Sequence, residues 1–224
     1  MRGNARTLDV LKRVATVEPA GASNIRQRFR SQAVEIARAE NLGRARFNFA
    51  IAQLDAAPAE ILRAGGESFH ALRLLPPSGE LTALAFGVCT LGDAITLKVR
   101  ALFAQRQISL GLALDMLGNQ MLMETSRVLQ DRILAEVEKQ GLSMAGELRA
   151  GDPGLALDAQ PGVLRLAGAS DIGVRTTGTL ALEPIKSASV VFGVGHALPA
   201  ALWSRCDECR SRSTCATALR AAAA

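Results

Sequence analysis

The sequence predicts a mixed α+β domain. Helical and strand patterns are interspersed along the 224 residues, without the regular strand–helix–strand repeat of a doubly wound parallel sheet. The apolar residues are mainly Ala, Leu, Val and Ile, with seven Phe, one Trp and no Tyr, so we expect an aliphatic core. A globule of this size buries roughly 70–75% of its unfolded surface and is stable without disulfides. One domain with short appendages is therefore expected.

The first third of the chain predicts two helices and a strand. A short amphipathic helix is expected over residues 8–14, and Ser23 is placed to cap a second helix over residues 24–41, where apolar residues recur at helical spacing. RARFNFAIAQL, residues 44–54, alternates apolar and other side chains and predicts a half-buried strand. Residues 55–79 are harder to interpret; we expect a short helix at 58–64 and a strand near 70–74.

The middle of the chain predicts a central strand and two helices. ELTALAFGVCTLG, residues 80–92, is apolar on both faces and is expected in the middle of a sheet. Residues 93–105 and 109–141 predict consecutive helices, the second kinked at Gly118.

The last third predicts a loop followed by strands. Residues 143–162 are rich in Gly, Pro and Asp and predict an exposed loop. A short helix and turn are expected over 163–174, and strands over 178–184 and 187–195.

Charge, hydropathy and motifs argue against several classes of protein. The formal net charge is +5, but Arg and Lys are dispersed among Asp and Glu, and the densest basic run, NIRQRFR, lacks the aromatic interleaving of a single-strand nucleic-acid platform. No nucleic-acid partner is expected. No apolar run reaches the ~18 residues of a membrane span, and the N-terminus does not resemble a signal peptide, so we expect a cytoplasmic protein without membrane contact. The two histidines and the absence of a G-x-S-x-G or phosphate-loop motif disfavour a hydrolase or nucleotide-loop enzyme.

Three of the four cysteines are crowded near the C-terminus. Cys206, Cys209 and Cys215 form a C-x2-C-x5-C pattern, which suits an iron–sulfur cluster or zinc. The fourth ligand would be His196, Cys89, a partner residue or an open position, although Cys89 fits better as a small core residue. A thiol–disulfide redox role and an unliganded tail remain the alternatives. We divide the chain into an N-terminal segment (residues 1–22), a domain (23–200) and a Cys-rich tail (201–224).

Two acidic residues flank an apolar stretch of the long predicted helix. Asp115 and Glu124 lie nine residues apart, so they point to nearly opposite faces of an ideal helix. One of them could face a ligand; the alternative is that both are solvated.

The stretch IGVRTTGTLALEPIKSASVVFGVG, residues 172–195, resembles the C-terminal activation domain of vitamin B12-dependent methionine synthase and its small stand-alone relatives. The similar residues are Ile172, Gly173, Val174, Thr177, Pro184, Lys186, Ser187 and Ser189. FGVCTLG, LALDMLGNQMLME and the terminal cysteine cluster also resemble that family and occur in the same order.

The resemblance implies a central, largely antiparallel sheet flanked by helices and a site for S-adenosylmethionine. The family's ligand element is R-x-x-x-G-Y; here Arg149 fits, Gly154 falls one position late, Pro153 takes the glycine position and a leucine replaces the tyrosine. Arg149 would meet the ligand carboxylate. Asp152, Gly154, Glu124 and Asp115 complete the candidate ligand-binding set.

The implied function is an S-adenosylmethionine-binding accessory protein that supports reductive reactivation of a corrinoid (cobalamin)-dependent methyltransferase. Its partners would be the corrinoid-binding protein and a flavodoxin- or ferredoxin-type electron donor, which the basic surface would help to attract. The alternatives are a ligand-free scaffold in one-carbon metabolism and a small iron–sulfur redox protein on the same fold.

Overall fold

The computed structural model describes residues 5–16 and 23–199. In chain order the elements are β1 (Arg6–Asp9), α1 (Leu11–Val14), α2 (Asn24–Ala39), β2 (Arg44–Gln53), β3 (Ile61–Ala64), β4 (Glu67–His70), β5 (Glu80–Thr90), α3 (Ala94–Ala104), α4 (Ile108–Glu138), β6 (Ser143–Leu148), α5 (Gln160–Ala167), β7 (Arg175–Thr176), β8 (Leu182–Glu183) and β9 (Ser187–His196). None of the helices in these ranges is long and apolar enough to cross a membrane.

A five-stranded antiparallel sheet organises the domain. Its strand order is β1-β2-β5-β9-β6. β5 lies at the centre and pairs with β2 on one side and β9 on the other. The predicted α+β class, the antiparallel sheet and the central position of β5 are therefore confirmed.

Different elements cover the two faces of the sheet. The C-terminal half of α4 packs on one face, where Leu129, Ile133 and Val137 meet β2, β5 and β9. The β3–β4 hairpin and α5 cover the other face around Leu84, Phe86 and Val88. Beyond the sheet, α1, α2 and α3 enclose the N-terminal half of α4 in a further apolar cluster.

Local signals explain the starts of several elements. Ser23 has an extended backbone, and its side chain accepts a hydrogen bond from the Arg26 N–H, so the predicted cap of α2 is present. Gly65 and Gly66 both have positive φ and form the two-residue turn between β3 and β4. This hairpin replaces the short helix expected over 58–64. The strand expected near residues 70–74 lies earlier, as β4, and a 3-10 turn follows it.

Two further expectations differ from the structure. Residues 143–148 form the edge strand β6 rather than a loop, because their backbone pairs with β9 despite the Gly146 bulge. The helix expected over residues 8–14 is shorter, since residues 6–9 pair with β2 as strand β1 and only 11–14 are helical. The described part of the expected N-terminal segment is thus joined to the main sheet by backbone hydrogen bonds.

Candidate ligand site at the sheet edge

Arg149 lies where the edge strand β6 ends. Leu148 pairs with Val191 and is buried under α5, so the next side chain is directed to the opposite face, toward α4. There the Arg149 Nη2 donates to Ser126 Oγ at 3.1 Å and to Glu147 Oε1 at 3.2 Å. The strand end and α4 together hold this guanidinium at the sheet edge.

The guanidinium has donor capacity beyond these bonds. Its Nε–H is buried and has no hydrogen-bond partner among the described residues, while the side chain as a whole is about a quarter exposed. A buried donor without an acceptor is unfavourable by about 1–3 kcal/mol. An added carboxylate would therefore find a fixed, incompletely satisfied cation, which it would meet through the less buried atoms of the side chain.

The loop after Arg149 is closed by hydrogen bonds within its own chain. The Asp152 carboxylate accepts the Arg149 N–H at 2.9 Å, and the Asp152 N–H donates to the Arg149 carbonyl at 2.9 Å. Gly154 has a φ of +95°, which favours glycine, and packs against the Arg73 side chain. Arg149, Asp152 and Gly154 thus lie in one loop, which Asp152 closes, and their role in binding a ligand stays a prediction.

The two acidic residues of α4 lie in separate salt bridges. Glu124 meets Arg13 of the N-terminal helix α1 at 2.7 Å. Asp115 meets Lys186 at 2.7 Å. The structure therefore does not gather the two carboxylates at one site, in agreement with their opposite faces on the helix. Asp115 lies eleven residues from Ser126 along α4, about 16 Å, and is remote from Arg149.

Lys186, one of the residues on which the family resemblance rests, anchors a polar cluster between α4 and the start of β9. Its side chain is 8% exposed, and its Nζ donates to Asn119 Oδ1 at 2.6 Å in addition to the Asp115 contact. The Lys186 carbonyl accepts from Leu91 N–H, and Ser187 Oγ donates to Thr90 Oγ1 at 2.8 Å. The cluster fixes the start of β9 against α4.

Sequence reasoning missed Ser126, Glu147 and Gln160. Gln160 and Ser189 are buried and exchange a side-chain hydrogen bond at 2.9 Å. Neither the Ser126 nor the Glu147 contact follows from a local pattern, because the register of β6 against β9 and the packing of α4 create both.

The cysteine cluster, Cys206, Cys209 and Cys215, lies outside the described residues. Cys89 is fully buried, and burial raises its pKa from 9.0 to about 12, against the opposing charge of Arg149. Its surroundings are those of a small buried core residue, as the sequence predicted. His196 ends β9 eight residues beyond the partner of Cys89, about 27 Å away, so one ion cannot bind both. The described ranges contain no group of three His, Cys, Asp or Glu suited to a metal ion.

The architecture is that of a methionine synthase reactivation domain: a central antiparallel sheet flanked by helices. One of the solved structures that match is described as the MetH reactivation domain bound to AdoHcy; the match has a TM-score of 0.64 and covers 88% of this chain and 80% of that chain. Sequence identity is 12%, so the likeness concerns the fold. No family model and no curated protein matches the chain.

Proposed function

We propose that the chain binds S-adenosylmethionine or its demethylated product at the Arg149 edge, and that it supports reductive reactivation of a corrinoid-dependent methyltransferase. The observation that carries the proposal is Arg149 itself, an incompletely satisfied guanidinium fixed at the sheet edge. The likeness to a reactivation domain bound to AdoHcy supports the choice of ligand.

The chain's own residues would bind and orient the ligand. Arg149 would pair with the ligand carboxylate, and Ser126 would hold the guanidinium in place. Asp152 would keep the loop closed through the Arg149 backbone. The corrinoid would be carried by the partner protein, and the electron for its reduction would come from a flavodoxin- or ferredoxin-type donor.

Calorimetric titration with AdoHcy and S-adenosylmethionine tests the proposal. We expect binding by the wild-type chain and a loss of about tenfold or more in affinity for Arg149→Ala, because a carboxylate–guanidinium pair is removed. Arg165→Ala is the matched control, since Arg165 on α5 forms its salt bridge with Glu67 of β4, away from the loop. No binding by the wild type, or equal binding by both variants, would overturn it.

A ligand-free scaffold is the second candidate. Two observations favour it. Glu147 already pairs with Arg149, and Pro153 occupies the glycine position of the R-x-x-x-G-Y element. On this interpretation the chain docks on a one-carbon enzyme without a ligand. Absent binding of both adenosyl compounds, together with retained stimulation of corrinoid methylation, would select this candidate.

A metal-binding tail is a separate part of the proposal. The C-x2-C-x5-C pattern supports an iron–sulfur cluster or zinc, and the third candidate function, a small redox protein, depends on it. Metal analysis and an absorption spectrum of anaerobic protein, compared with Cys209→Ser, test it. Iron with a broad visible band that the variant loses would support the redox function; a metal-free wild-type protein would exclude it.

A further inference from the structure

An open apolar groove lies between α2 and α4, and neither Arg149 nor its partners Ser126 and Glu147 line it. Its volume is about 460 Å³. The α4 side presents Leu112 and Met116, one helical turn apart, and the α2 side presents Ile25 and Phe29 at the same spacing. Ile25, Leu112 and Met116 are all more than half exposed. Large apolar side chains placed together at a surface usually mark an interaction site.

The groove has a basic rim. Arg26 and Arg30 line it one turn apart, and no carboxylate lines it among the described residues. Arg30 is fixed, since its guanidinium donates to Gln120 Oε1 at 2.6 Å and to the Val14 carbonyl at 2.8 Å. Arg26 is exposed. The floor of the groove is therefore apolar, and arginine side chains lie along one side of it.

The shape of the groove favours a helix. Its α4 wall runs from Ser109 to Gln120, about 16 Å at 1.5 Å per residue, which matches three turns of a partner helix. A helix placed in such a groove inserts apolar residues at i, i+3 or i+4, and i+7. Methionine suits this surface because its flexible side chain adapts to different apolar groups.

We propose that the α2–α4 groove docks an acidic amphipathic helix of a protein partner. An acidic partner is favoured, because acidic residues flanking its apolar stripe would lie next to the exposed Arg26. A second copy of this chain fits less well, since a self-complementary contact would bring the same arginines of both copies together. This inference does not rest on the ligand site.

Fluorescence anisotropy with two labelled peptides tests the proposal. Both are helical peptides of about 14 residues with leucines at i, i+3 or i+4, and i+7; one carries glutamates on its flanks and the other lysines. We expect the full chain to bind the glutamate peptide about tenfold or more tightly than the lysine peptide, with the difference shrinking at high salt.

Variants locate the binding surface. Met116→Glu should weaken the glutamate peptide about tenfold or more, and Arg26→Glu should shift the preference toward the lysine peptide. Leu97→Glu is the matched control, because Leu97 is 59% exposed on α3, outside the groove, and Met116 is 60% exposed. Circular dichroism checks that each variant is folded.

Three outcomes would overturn the proposal: no binding of the glutamate peptide, equal binding of both peptides, or binding unchanged in Met116→Glu and Arg26→Glu. Sedimentation velocity tests a further possibility. If the wild type self-associates and Met116→Glu does not, the groove would bind a second copy of this chain instead. Titration of AdoHcy into Met116→Glu separates this test from that of the ligand site, because affinity for AdoHcy should be unchanged.

Discussion

Glu147 and a ligand carboxylate would compete for the same guanidinium. The Glu147 Oε1 lies 3.2 Å from the Arg149 Nη2 at the sheet edge. Its side chain is 28% exposed, so it can turn into solvent when another anion replaces it. The internal pair thus opposes binding by the small free energy of a partly exposed salt bridge.

Removing this competitor should strengthen binding. We expect Glu147→Ala to bind AdoHcy roughly threefold to fivefold more tightly. This change in affinity corresponds to the free energy of a partly exposed ion pair. Isothermal titration measures the change. Glu136→Ala is the control, since Glu136 is 27% exposed and pairs with Lys139 at the C-terminal end of α4, away from Arg149. Weaker binding by Glu147→Ala would show that Glu147 helps to hold the ligand.

Cys89 should make stability fall at high pH. Burial raises the pKa of its thiol from 9.0 to about 12. Between these values the unfolded chain releases a proton that the folded chain retains, so the free energy of unfolding falls as pH rises from about 9 to about 12. Urea unfolding across this range should show a smaller fall for Cys89→Ala than for the wild type. Parallel curves for the two proteins would contradict the assignment.

The Lys186 cluster joins two elements, the start of β9 and the middle of α4. Removing Asp115 leaves an ammonium that is 8% exposed with Asn119 as its other described partner, whereas removing the lysine leaves a carboxylate that is 41% exposed. An unpaired buried charge is much less favourable than an unpaired exposed one.

Asp115→Ala should therefore destabilise the fold more than Lys186→Met. We expect a loss of about 2 kcal/mol in the free energy of unfolding for Asp115→Ala and a smaller loss for Lys186→Met, whose side chain fills a similar space. Chemical denaturation of both variants measures the order. The reverse order would mean that the lysine stem, rather than its charge, determines the packing here.

Elements with one dominant pattern could be predicted from the sequence. β5 is apolar on both faces, and α4 keeps a helical period over its whole length, so neither needed tertiary information. β6 was missed because Gly146 and Glu147 interrupt its apolar pattern and only pairing with β9 makes it a strand. The β3–β4 hairpin could have been found from its Gly-Gly turn, which was outweighed by the helical composition of residues 58–64.

The candidate site was predictable only in part. Arg149, Asp152 and Gly154 are close in sequence, so a local motif could place them in one loop. Ser126 and Glu147 enter the site through helix packing and a strand bulge, which no single-sequence pattern encodes. The separation of Asp115 from Glu124 followed from helix geometry alone.

The boundary of the Cys-rich tail can be tested on the whole molecule. The apolar clusters of the described part of the chain draw on residues from Val10 to Val194, with Leu198 packed against one of them. We expect a chain ending at Ala200 to keep its unfolding temperature within a few degrees and to lose any iron or zinc bound by the full chain. Thermal unfolding and metal analysis check both. A large fall in unfolding temperature would place residues 201–224 within the domain.

The strand order has a consequence for synthesis on the ribosome. β5 pairs along its whole length with β9, the last strand of the described chain. Until residues 187–196 have emerged, β5 has an unpaired edge made of apolar residues, which is a template for aggregation. The centre of the sheet therefore closes only after residues 187–196 have been synthesised, and a nascent chain stopped before Ser187 would be a substrate for chaperones rather than a folded domain.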